Sequence, residues 1–397
     1  MLTINGGSSS IKLALFTEAD PPVRRLRAKM DRIGRSDTTL AFTDLASGES
    51  QSKVVGDLDH RSAATFLLDW IDERIGLATL AAVGHRIVNG GAHYREPQPI
   101  TAELMAELKR IATYAPEHLP SEIALIEILQ ARGPDLPQIV CFDTAFHRDM
   151  PRVAKILPIP RRYDALGVER YGFHGLSYSF LIEELARVAG EGAASGRVVL
   201  AHLGNGASLS AVRGGRSIDT TMGFTPAAGV PMGTRSGNLD PGLVLFCART
   251  EGMTAEQFHR MVNHESGLLG ISETTSDVRD LLDREADDIR AAEAIELFCY
   301  EIRKSIGAMA AALGGLDTLV FTGGIGENSP VIRERICAGL GFLGIHLDAN
   351  RNDSNAPLVS EDDAQVAVRV IATDEEMVIA KAVGNILNRK PSREAAT

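Results

Sequence analysis

The sequence predicts an α/β protein built from two similar domains. Short runs rich in Val, Ile and Leu alternate with amphipathic helical patterns, which is typical of this fold class. At 397 residues the chain is too long for one ordinary hydrophobic core. The segment LTINGGSSSIKLAL near the start also resembles VVLAHLGNGASLSAVRGG at residues 198–215, and such an internal repeat indicates a duplicated domain.

Each copy of this repeat predicts a β-hairpin, because two strand-like runs flank a turn of Asn, Gly and Ser. Next along the chain, TLAAVGHRIVNGG predicts a strand that enters a glycine turn. TAELMAELKRIATYAPEHLP predicts an amphipathic helix closed by prolines, and LPQIVCFDTAFH a buried strand that ends in polar residues. The repeat spacing places the domain boundary near residue 147.

In the second half, MTAEQFHRMV predicts a helix whose Thr254 and Gln257 form a capping box. LDTLVFTGGIGENSPVIRERICAGLGFLG predicts a strand, a glycine-rich turn, and a helix with Ser329 as N-cap and Pro330 as its first residue. The pattern VIATDEEMVIAKAVGNIL near the end predicts a helix that packs back on the first domain.

Composition and charge disfavour several classes of protein. The net charge of -11, with Lys and Arg scattered along the chain, disfavours nucleic-acid binding. The four cysteines, Cys141, Cys247, Cys299 and Cys337, are far apart and form no CxxC motif, which favours a reducing cytosol. No basic segment with an apolar run precedes the first strand, so we expect no signal peptide, and no apolar stretch is long enough to cross a membrane. We therefore expect a soluble cytoplasmic protein.

Three turns of small residues, at 5–10, 204–208 and 323–328, are candidate phosphate-binding loops. Glycine lets backbone N–H groups approach an anion, and serine adds hydroxyl donors. A single turn of this kind is more often only a tight turn, but two of these three match each other. The sequence has no GxxxxGK[ST], GxSxG or HExxH motif, so any phosphate would be bound by something other than a P-loop.

Several polar side chains are candidates for a phosphoryl-transfer site. Arg86 and Arg235 lie in glycine-rich segments, where an arginine is either a solvated surface residue or a ligand for transferring oxygens. Asp143 ends an apolar strand and is either a helix N-cap or a site residue. His174 lies between Phe and Gly, and for it, as for His118 and His202, a buried structural histidine is the alternative.

The two acidic residues before the last helix differ in their expected roles. Thr373 and Glu376 have the spacing of a capping box, which explains Glu376 structurally. Glu375 does not complete that box, so it is free to hold a metal ion directly or through water. The alternative for Glu375 is a favourable charge in the first helical turn.

Taken together, these segments resemble the acetate kinase family along nearly the whole chain. The segments that carry the resemblance are INGGSSSIKL, GHRIVNGG, CFDTAFH, RYGFHG, HLGNGAS, DTTMGFTPAAGVPMGTRSGNLDP, SGLLGISETTSDVRDL, FTGGIGENS and TDEEMVIA. The resemblance implies two duplicated ribonuclease-H-like domains of the sugar-kinase and actin type around a nucleotide cleft. It also implies homodimers that reversibly convert ATP and acetate to ADP and acetyl phosphate with Mg²⁺ or Mn²⁺.

The resemblance further implies an N-terminal domain of residues 1–146 and 377–397 and a nucleotide-binding domain of residues 147–376. It assigns the metal to Asn5 and Glu375. It assigns catalysis to Asp143, Arg86, Arg235, His174 and His118, with His174 and Arg235 as transition-state stabilisers. It assigns the acid substrate to Arg86, Val88, Phe173 and Pro226. It assigns the nucleotide to Ser8, Ser10, Lys12, His202, Gly204, Asn205, Gly206, Asp277, Val278, Arg279, Gly323, Gly324, Ile325, Gly326, Glu327 and Asn328.

The chain departs from the family pattern at three places. Asn89 stands where the family usually has His, residues 117–120 read EHLP in place of LHNP, and Tyr178 replaces the second His of the HGTSH motif. A carboxylate at Glu117 facing a carboxylate substrate would be costly, so the preferred acid is open between acetate, propionate and butyrate. An actin-like nucleotide-binding protein without acid turnover is the alternative from another class.

Overall fold

The computed structural model describes residues 1–7 and 10–388, which form two compact units. The first unit comprises Met1–Ala145 together with the residues from Asp374, and the second comprises Phe146–Thr373. Each unit contains its own β-sheet and its own cluster of buried apolar side chains. The functional division into residues 1–146 with 377–397 and residues 147–376 stays a prediction.

The chain begins with the strands and helices of the first unit. They are β1 (Leu2–Gly6), β2 (Ser10–Phe16), β3 (Arg24–Asp31), β4 (Thr38–Asp44), β5 (Ser50–Gly56), α1 (His60–Ile75), β6 (Val83–Ile87), β7 (Gln98–Pro99), α2 (Ala102–Arg110), α3 (Leu119–Arg132) and β8 (Gln138–Phe142).

The second unit follows, and the last helix of the chain returns to the first unit. These elements are α4 (Arg152–Lys155), α5 (Arg161–Asp164), α6 (Gly175–Ala189), α7 (Glu191–Ser195), β9 (Arg197–Leu203), β10 (Ala207–Arg213), β11 (Arg216–Thr220), α8 (Gly242–Thr250), α9 (Ala255–His264), α10 (Gly267–Ser272), α11 (Val278–Arg284), α12 (Ile289–Leu313), β12 (Thr318–Thr322), α13 (Gly323–Asn328), α14 (Pro330–Cys337), α15 (Ala349–Asp353), β13 (Ala367–Val370) and α16 (Glu375–Asn388). Single 3-10 turns occur at Leu77–Thr79, Ile111–Tyr114, Ala145–His147 and Gly341–Leu343.

The sheet of the first unit has the strand order β5-β4-β3-β2-β1-β6-β8-β7. Strands β1 to β5 form an antiparallel meander, whereas β1, β6 and β8 are parallel to one another. Because parallel strands end at the same edge of a sheet, Asn5, Arg86 and Asp143 come to one edge. Polar side chains therefore collect where β1, β6 and β8 end.

The last helix, α16, packs on this sheet against β6. Gly84 makes the contact: a Cβ atom at this position would lie 2.4 Å from Cγ2 of Ile379 and 2.6 Å from Cγ2 of Val383. Only glycine allows the helix to approach this closely. On the opposite face, α1 contributes Leu67 and Ile71 to the main apolar core.

The sheet of the second unit repeats the central part of the first. Its order is β11-β10-β9-β12-β13, with β9 antiparallel to β10 and parallel to β12. Strands β3-β2-β1-β6-β8 of the first unit have the same order and the same directions. The hairpins β1–β2 and β9–β10 occupy matching places in the two sheets, so the predicted α/β fold and its internal duplication are confirmed.

Predictions that depended on local signals are confirmed as well. Strand β8 is fully buried and ends one residue before Asp143. Helix α9 begins with the capping box of Thr254 and Gln257, with both hydrogen bonds present. Ser329 is the N-cap residue of α14 and Pro330 is its first residue, although the Ser329 side chain makes no capping bond within the described chain.

Three local predictions are wrong. Residues 323–328 form the short helix α13 and not an open turn, because side chains satisfy its ends: Glu327 Oε1 accepts the N–H of Gly323 at 2.8 Å. The capping box of Thr373 and Glu376 is absent, since Asp374 accepts the N–H of Met377 at 3.0 Å and caps α16 instead. Helix α2 ends at Arg110.

The proline expected to close α2 instead begins the next helix. Pro120 lies in the first turn of α3, where its missing N–H costs nothing. Within residues 1–7 and 10–388, no helix is both long and apolar enough to span a lipid bilayer.

Candidate active site

Arg86 is the centre of a buried charge cluster at the carboxyl edge of the first sheet. Its Nη2 donates to Asp143 Oδ2 at 2.9 Å, and its Nη1 donates to Glu122 Oε1 at 3.1 Å and to the carbonyl oxygen of Gly6 at 3.0 Å. The side chains of Asp143 and Glu122 are 1% and 2% exposed. The cluster therefore holds one cation between two carboxyl groups that are almost out of contact with solvent.

Burial and charge act in opposite directions on this cluster. Burial alone would lower the pKa of Arg86, but Asp143 and Glu122 hold it above its ordinary value, so the guanidinium stays charged. Burial raises the pKa of Glu122 to about 7, although Arg86 and the Val88 N–H oppose that rise. Glu122 thus changes its charge near neutral pH.

Arg86 keeps donors that its protein partners do not use. A guanidinium carries five N–H donors, and its three hydrogen bonds to Gly6, Glu122 and Asp143 account for both hydrogens of Nη1 and one of Nη2. Among the residues that the structure describes, the Nε hydrogen and the other Nη2 hydrogen have no acceptor. The side chain is 13% exposed, so these donors are available to an anion.

The chain that follows β6 is held by the same carboxylate. Glu122 Oε2 accepts the N–H of Val88 at 2.9 Å, and Val88 is fully buried. Asn89 is also buried; its Oδ1 accepts the N–H of Gly91 at 2.8 Å, whereas its Nδ2 has no acceptor within the described part of the chain. A buried amide donor therefore lies next to Val88, at a position where the family pattern has His.

Asn5 and the start of α16 form a second polar group in the first unit. Asn5 Nδ2 donates to Glu375 Oε2 at 2.7 Å and lies 3.4 Å from Glu376 Oε1. Burial raises the pKa of Glu376 above its ordinary value, and the nearby Lys12 opposes this rise. Lys12 lies opposite Asn5 in the hairpin, and Ser10 closes its turn by accepting the N–H of Gly7 at 2.7 Å. Ser8, also expected to bind the nucleotide, lies outside the described residues.

The oxygen atoms of this group suit a hard divalent cation. Asn5 donates a hydrogen bond to Glu375 through its nitrogen. Its Oδ1 and the Glu375 carboxylate therefore remain as possible metal ligands. Magnesium is usually held by one or two carboxylates together with water and substrate phosphates. Across residues 1–7 and 10–388, no group of three or more His, Cys, Asp or Glu side chains is arranged to hold a metal by itself.

In the second unit, His174 and His202 form a stacked pair. Their ring centroids are 4.1 Å apart with an interplanar angle of 22°. His174 Nδ1 is hydrogen-bonded to Ser208 Oγ at 2.8 Å, and His202 Nδ1 to Ser177 Oγ at 2.9 Å. His174 has a φ of 59°, a left-handed conformation that is rare outside glycine and is found at functional sites.

The residue that replaces the second histidine of the family motif joins this network. The Tyr178 hydroxyl is hydrogen-bonded to Ser208 Oγ, which also contacts His174. The ring of Tyr178 is buried and packs edge-on to His174. Tyr178 therefore makes a polar contact to the group that holds His174 Nδ1.

His174 and Arg235 converge on the turn between β9 and β10. A Cβ atom at Gly206 would lie 3.4 Å from His174 Nε2 and 3.5 Å from Arg235 Nη1. Arg235 Nη1 also donates to the carbonyl oxygen of Pro226 at 3.3 Å. Two groups suited to bind an anion thus meet beside a residue without a side chain. Phe173, just before His174, is buried, and its carbonyl oxygen is hydrogen-bonded to His147 Nε2 at 3.0 Å.

A cavity of about 470 Å³ in the second unit brings together half of the residues expected at the nucleotide. Its volume is in the range of small-molecule sites. Its lining consists of Gly204, Asn205, Ser276, Asp277, Val278, Arg279, Gly324, Ile325, Asn328 and Ser329. Asp277 also caps α11 by accepting the N–H of Arg279 at 2.9 Å, so it has a structural role as well.

Some expected residues support the backbone and do not line this cavity. Glu327 Oε1 accepts from the N–H of Gly323 and from that of Thr373. Gly323, with a φ of 76°, approaches β9 so closely that a Cβ atom would lie 2.6 Å from the carbonyl oxygen of Leu203. The carbonyl oxygen of Gly326 accepts from the buried Arg333 at 2.9 Å. His118 is buried just before α3, and its carbonyl oxygen accepts the N–H of Glu122 at 3.2 Å.

Sequence reasoning missed Glu122, and it singled out the segments of Ser208 and Tyr178 without predicting their contacts with His174 and with each other. For Glu122 a signal was present: the acid lies three residues after Leu119 and four before Ile126, on the buried face of α3. For Ser208, the signal was its place at the end of the candidate phosphate-binding turn 204–208.

Comparison with known proteins finds relatives that match nearly the whole chain. The sequence profile of the acetokinase family matches residues 1–381. An acetate kinase of Rhodopseudomonas palustris is 44% identical over 96% of this chain and 97% of its own length. A propionate kinase of Citrobacter rodentium is 42% identical over 97% and 96%.

Solved structures give the same result. An acetate kinase from Porphyromonas gingivalis superposes with a TM-score of 0.85 at 34% identity, covering 97% of this chain and 99% of its own. A propionate kinase from Francisella tularensis superposes with a TM-score of 0.88, also at 34% identity, covering 96% and 98%.

Proposed function

The chain belongs to the acetokinase family and has its acetate kinase activity, and from this premise we propose how its residues perform the reaction. An oxygen of the acetate carboxylate attacks the γ-phosphorus of ATP in line with the bridging oxygen. The bond from phosphorus to that oxygen breaks, ADP leaves with the electron pair, and acetyl phosphate forms. The reverse reaction follows the same path. Acetate is ionised at neutral pH, so this transfer needs no general base.

Arg86 binds the acetate carboxylate through its unused Nε and Nη2 hydrogens. Asp143 and Glu122 hold the other side of the guanidinium, at 2.9 and 3.1 Å, and so fix the direction of these donors. Val88 contacts the methyl group, and the assignment of Phe173 and Pro226 to the acid stays a prediction.

Arg235 and His174 stabilise the transferring phosphoryl group, and their convergence at Gly206 is the observation that carries this proposal. The main obstacle to reaction is repulsion between an anionic nucleophile and an anionic phosphate. Fixed cations and N–H donors lower that barrier because negative charge is spread over the phosphoryl oxygens in the transition state.

The cavity beside Asn205, Arg279 and Gly324 binds the adenosine part of ATP. Asn5 and Glu375 bind the metal ion at the phosphate end of ATP, and Lys12 lies nearby. Their amide and carboxylate oxygens fit Mg²⁺, with Mn²⁺ as a substitute. When bound, the metal ion offsets negative charge on the β- and γ-phosphates.

We propose that two copies of the chain associate through α8. This helix exposes a run of apolar side chains: Val244, Leu245 and Phe246 are 47%, 53% and 58% exposed, and Leu239 just before it is 44% exposed. A contiguous apolar surface of this kind is typical of an interaction site.

We propose that the protein is located in the cytoplasm, in keeping with four cysteines that are all free thiols.

Phe246→Glu should convert a dimer to a monomer, because a charge placed in an apolar interface loses its hydration. Sedimentation velocity on the wild type and the variant measures this. Val153→Glu is the matched control, since Val153 is 83% exposed on a different helix of the same unit. A wild type that sediments as a monomer, or a Phe246→Glu variant that stays dimeric, contradicts the assignment.

The reaction itself is tested by trapping acetyl phosphate as its hydroxamate with ATP, Mg²⁺ and acetate. The values of kcat/KM for acetate, propionate and butyrate should fall in that order, and the fall should be gradual because one methylene is worth about 1–3 kcal/mol in an apolar pocket. A higher value for propionate or butyrate would make the longer acid the substrate. ATP binding without acid-dependent turnover would contradict the proposed reaction.

A further inference from the structure

Glu122 is a buried carboxylate that takes no direct part in the proposed phosphoryl transfer. It is 2% exposed and lies on the apolar face of α3, between Leu119 and Ile126. Burying an ionisable group is unfavourable unless it is paired and hydrogen-bonded, so its position requires an explanation. The explanation lies in the two groups that it contacts.

The two oxygens of Glu122 bind two different parts of the acid-binding region. Oε1 accepts from Nη1 of Arg86 at 3.1 Å, and Oε2 accepts from the N–H of Val88 at 2.9 Å. Arg86 is the proposed ligand of the acid carboxylate, and Val88 contributes to the proposed pocket for its alkyl group. One side chain from α3 thus fixes both residues to each other.

Four elements face the guanidinium that Glu122 holds. They contribute Glu122 from α3, Asp143 after β8, the Gly6 carbonyl oxygen from β1, and Glu375 of α16, which acts on Arg86 through its charge. Two of the carboxyl groups, Asp143 and Glu122, are hydrogen-bonded to the single cation. When both are ionised, these three side chains carry a net charge of one unit negative, and protonation of Glu122 makes them neutral.

We propose that Glu122 is a positioning residue for the acid substrate, orienting Arg86 and Val88 and setting, through its own charge, how strongly Arg86 binds a carboxylate. This inference rests on the proposed function, because it assumes that Arg86 binds the acid. An ionised Glu122 competes with the substrate carboxylate for the same cation. A neutral Glu122 keeps its contact with the backbone of Val88 but leaves more of the positive charge of Arg86 to the substrate.

The consequence is a pH-dependent affinity for the acid. Burial raises the pKa of Glu122 to about 7, so the group loses its proton as the pH rises through neutrality. The KM for acetate should therefore increase roughly three- to tenfold from about pH 6 to about pH 8, as expected for one added charge near a partly buried ion pair. The KM for ATP should change much less, because Glu122 acts on the acid.

Two substitutions separate the charge of Glu122 from its reach. Glu122→Gln keeps the size but removes the ionisation, so the KM for acetate should become independent of pH over this range. Glu122→Asp keeps the charge but is one methylene shorter, so it cannot reach both partners. Its KM for acetate should be roughly tenfold higher at every pH, and the pH dependence should remain.

The matched control is Glu127→Gln, the same change on the same helix at a side chain that is 44% exposed and paired with Lys109. It should leave both the KM for acetate and its pH profile as in the wild type. Melting curves show whether each variant is folded, and if Glu122→Gln is not, the Glu122→Asp profile decides the question alone.

A folded Glu122→Gln variant with the wild-type pH profile would overturn the inference, as would a Glu122→Asp variant with an unchanged KM. A wild type that forms no acetyl phosphate would instead contradict the proposed function, so the two failures are distinguishable.

Discussion

Replacing Arg235 by alanine should lower kcat for acetyl phosphate formation roughly a thousandfold, the size of effect seen when an arginine that stabilises a phosphoryl group is lost. Arg235 Nη1 and His174 Nε2 both lie within about van der Waals distance of the Cβ position at Gly206. Removing the guanidinium leaves His174 as the remaining member of this pair to offset the charge of the transferring group. The KM for acetate should change far less than kcat, because Arg86 and not Arg235 is the proposed ligand of the acid.

Two further variants make this result interpretable. Arg235→Lys keeps the charge but not the planar set of donors, so it should recover only a small part of the lost kcat. Arg216→Ala removes an arginine from an exposed strand position in the same unit and should leave kcat unchanged. Full activity of Arg235→Ala, or equal losses in both alanine variants, would contradict the role given to Arg235.

The parts of the fold that follow from local signals are predictable from the sequence. The hairpins β1–β2 and β9–β10 are predicted because their strands and turns are contiguous in the chain. The capping box of α9 spans only residues 254–257, and β8 is a short apolar run that ends at Asp143. In each case the residues that determine the structure are neighbours in sequence.

Local patterns fail where side chains that the pattern does not take into account satisfy the backbone. GGIGEN reads as a loop because of its glycines, yet it is helical in the structure. Arg333, which is fully buried, donates to the carbonyl oxygens of Gly326 and Glu327 at 2.9 and 3.2 Å and so satisfies the end of α13. Thr373 is displaced as a cap because its own N–H is directed to Glu327, at 3.3 Å.

In the candidate site, too, some residues are indicated by their local sequence and others only by the folded structure. Arg86, Asp143, His174 and Arg235 lie in glycine-rich or strand-end segments whose composition is unusual, so the sequence indicates them. Glu122 contacts Arg86 across 36 residues of chain, and nothing in its own segment identifies that partner. Such a pair is established only when α3 and β6 pack together.

Asn5→Ala should reduce kcat roughly a hundredfold at a limiting Mg²⁺ concentration, because one oxygen ligand of the proposed metal site is lost. The same change removes the hydrogen bond from Asn5 Nδ2 to Glu375 Oε2, which is 2.7 Å long and holds that carboxylate in place. The concentration of Mg²⁺ needed for half-maximal activity should therefore rise. Stability should fall by only about 1 kcal/mol, the usual net worth of one hydrogen bond.

The matched control for Asn5→Ala is Thr3→Val, two residues earlier on the same face of β1. Thr3 is fully buried and donates to the carbonyl oxygen of Ala14 at 3.2 Å, so this variant also loses one buried hydrogen bond in the hairpin. It should lower the melting temperature by a similar amount but keep its Mg²⁺ dependence. If both variants lose stability and neither alters the response to Mg²⁺, the Asn-Gly-Gly-Ser turn acts only as a structural hairpin. A loss of turnover confined to Asn5→Ala would instead support phosphate and metal binding at the end of β1.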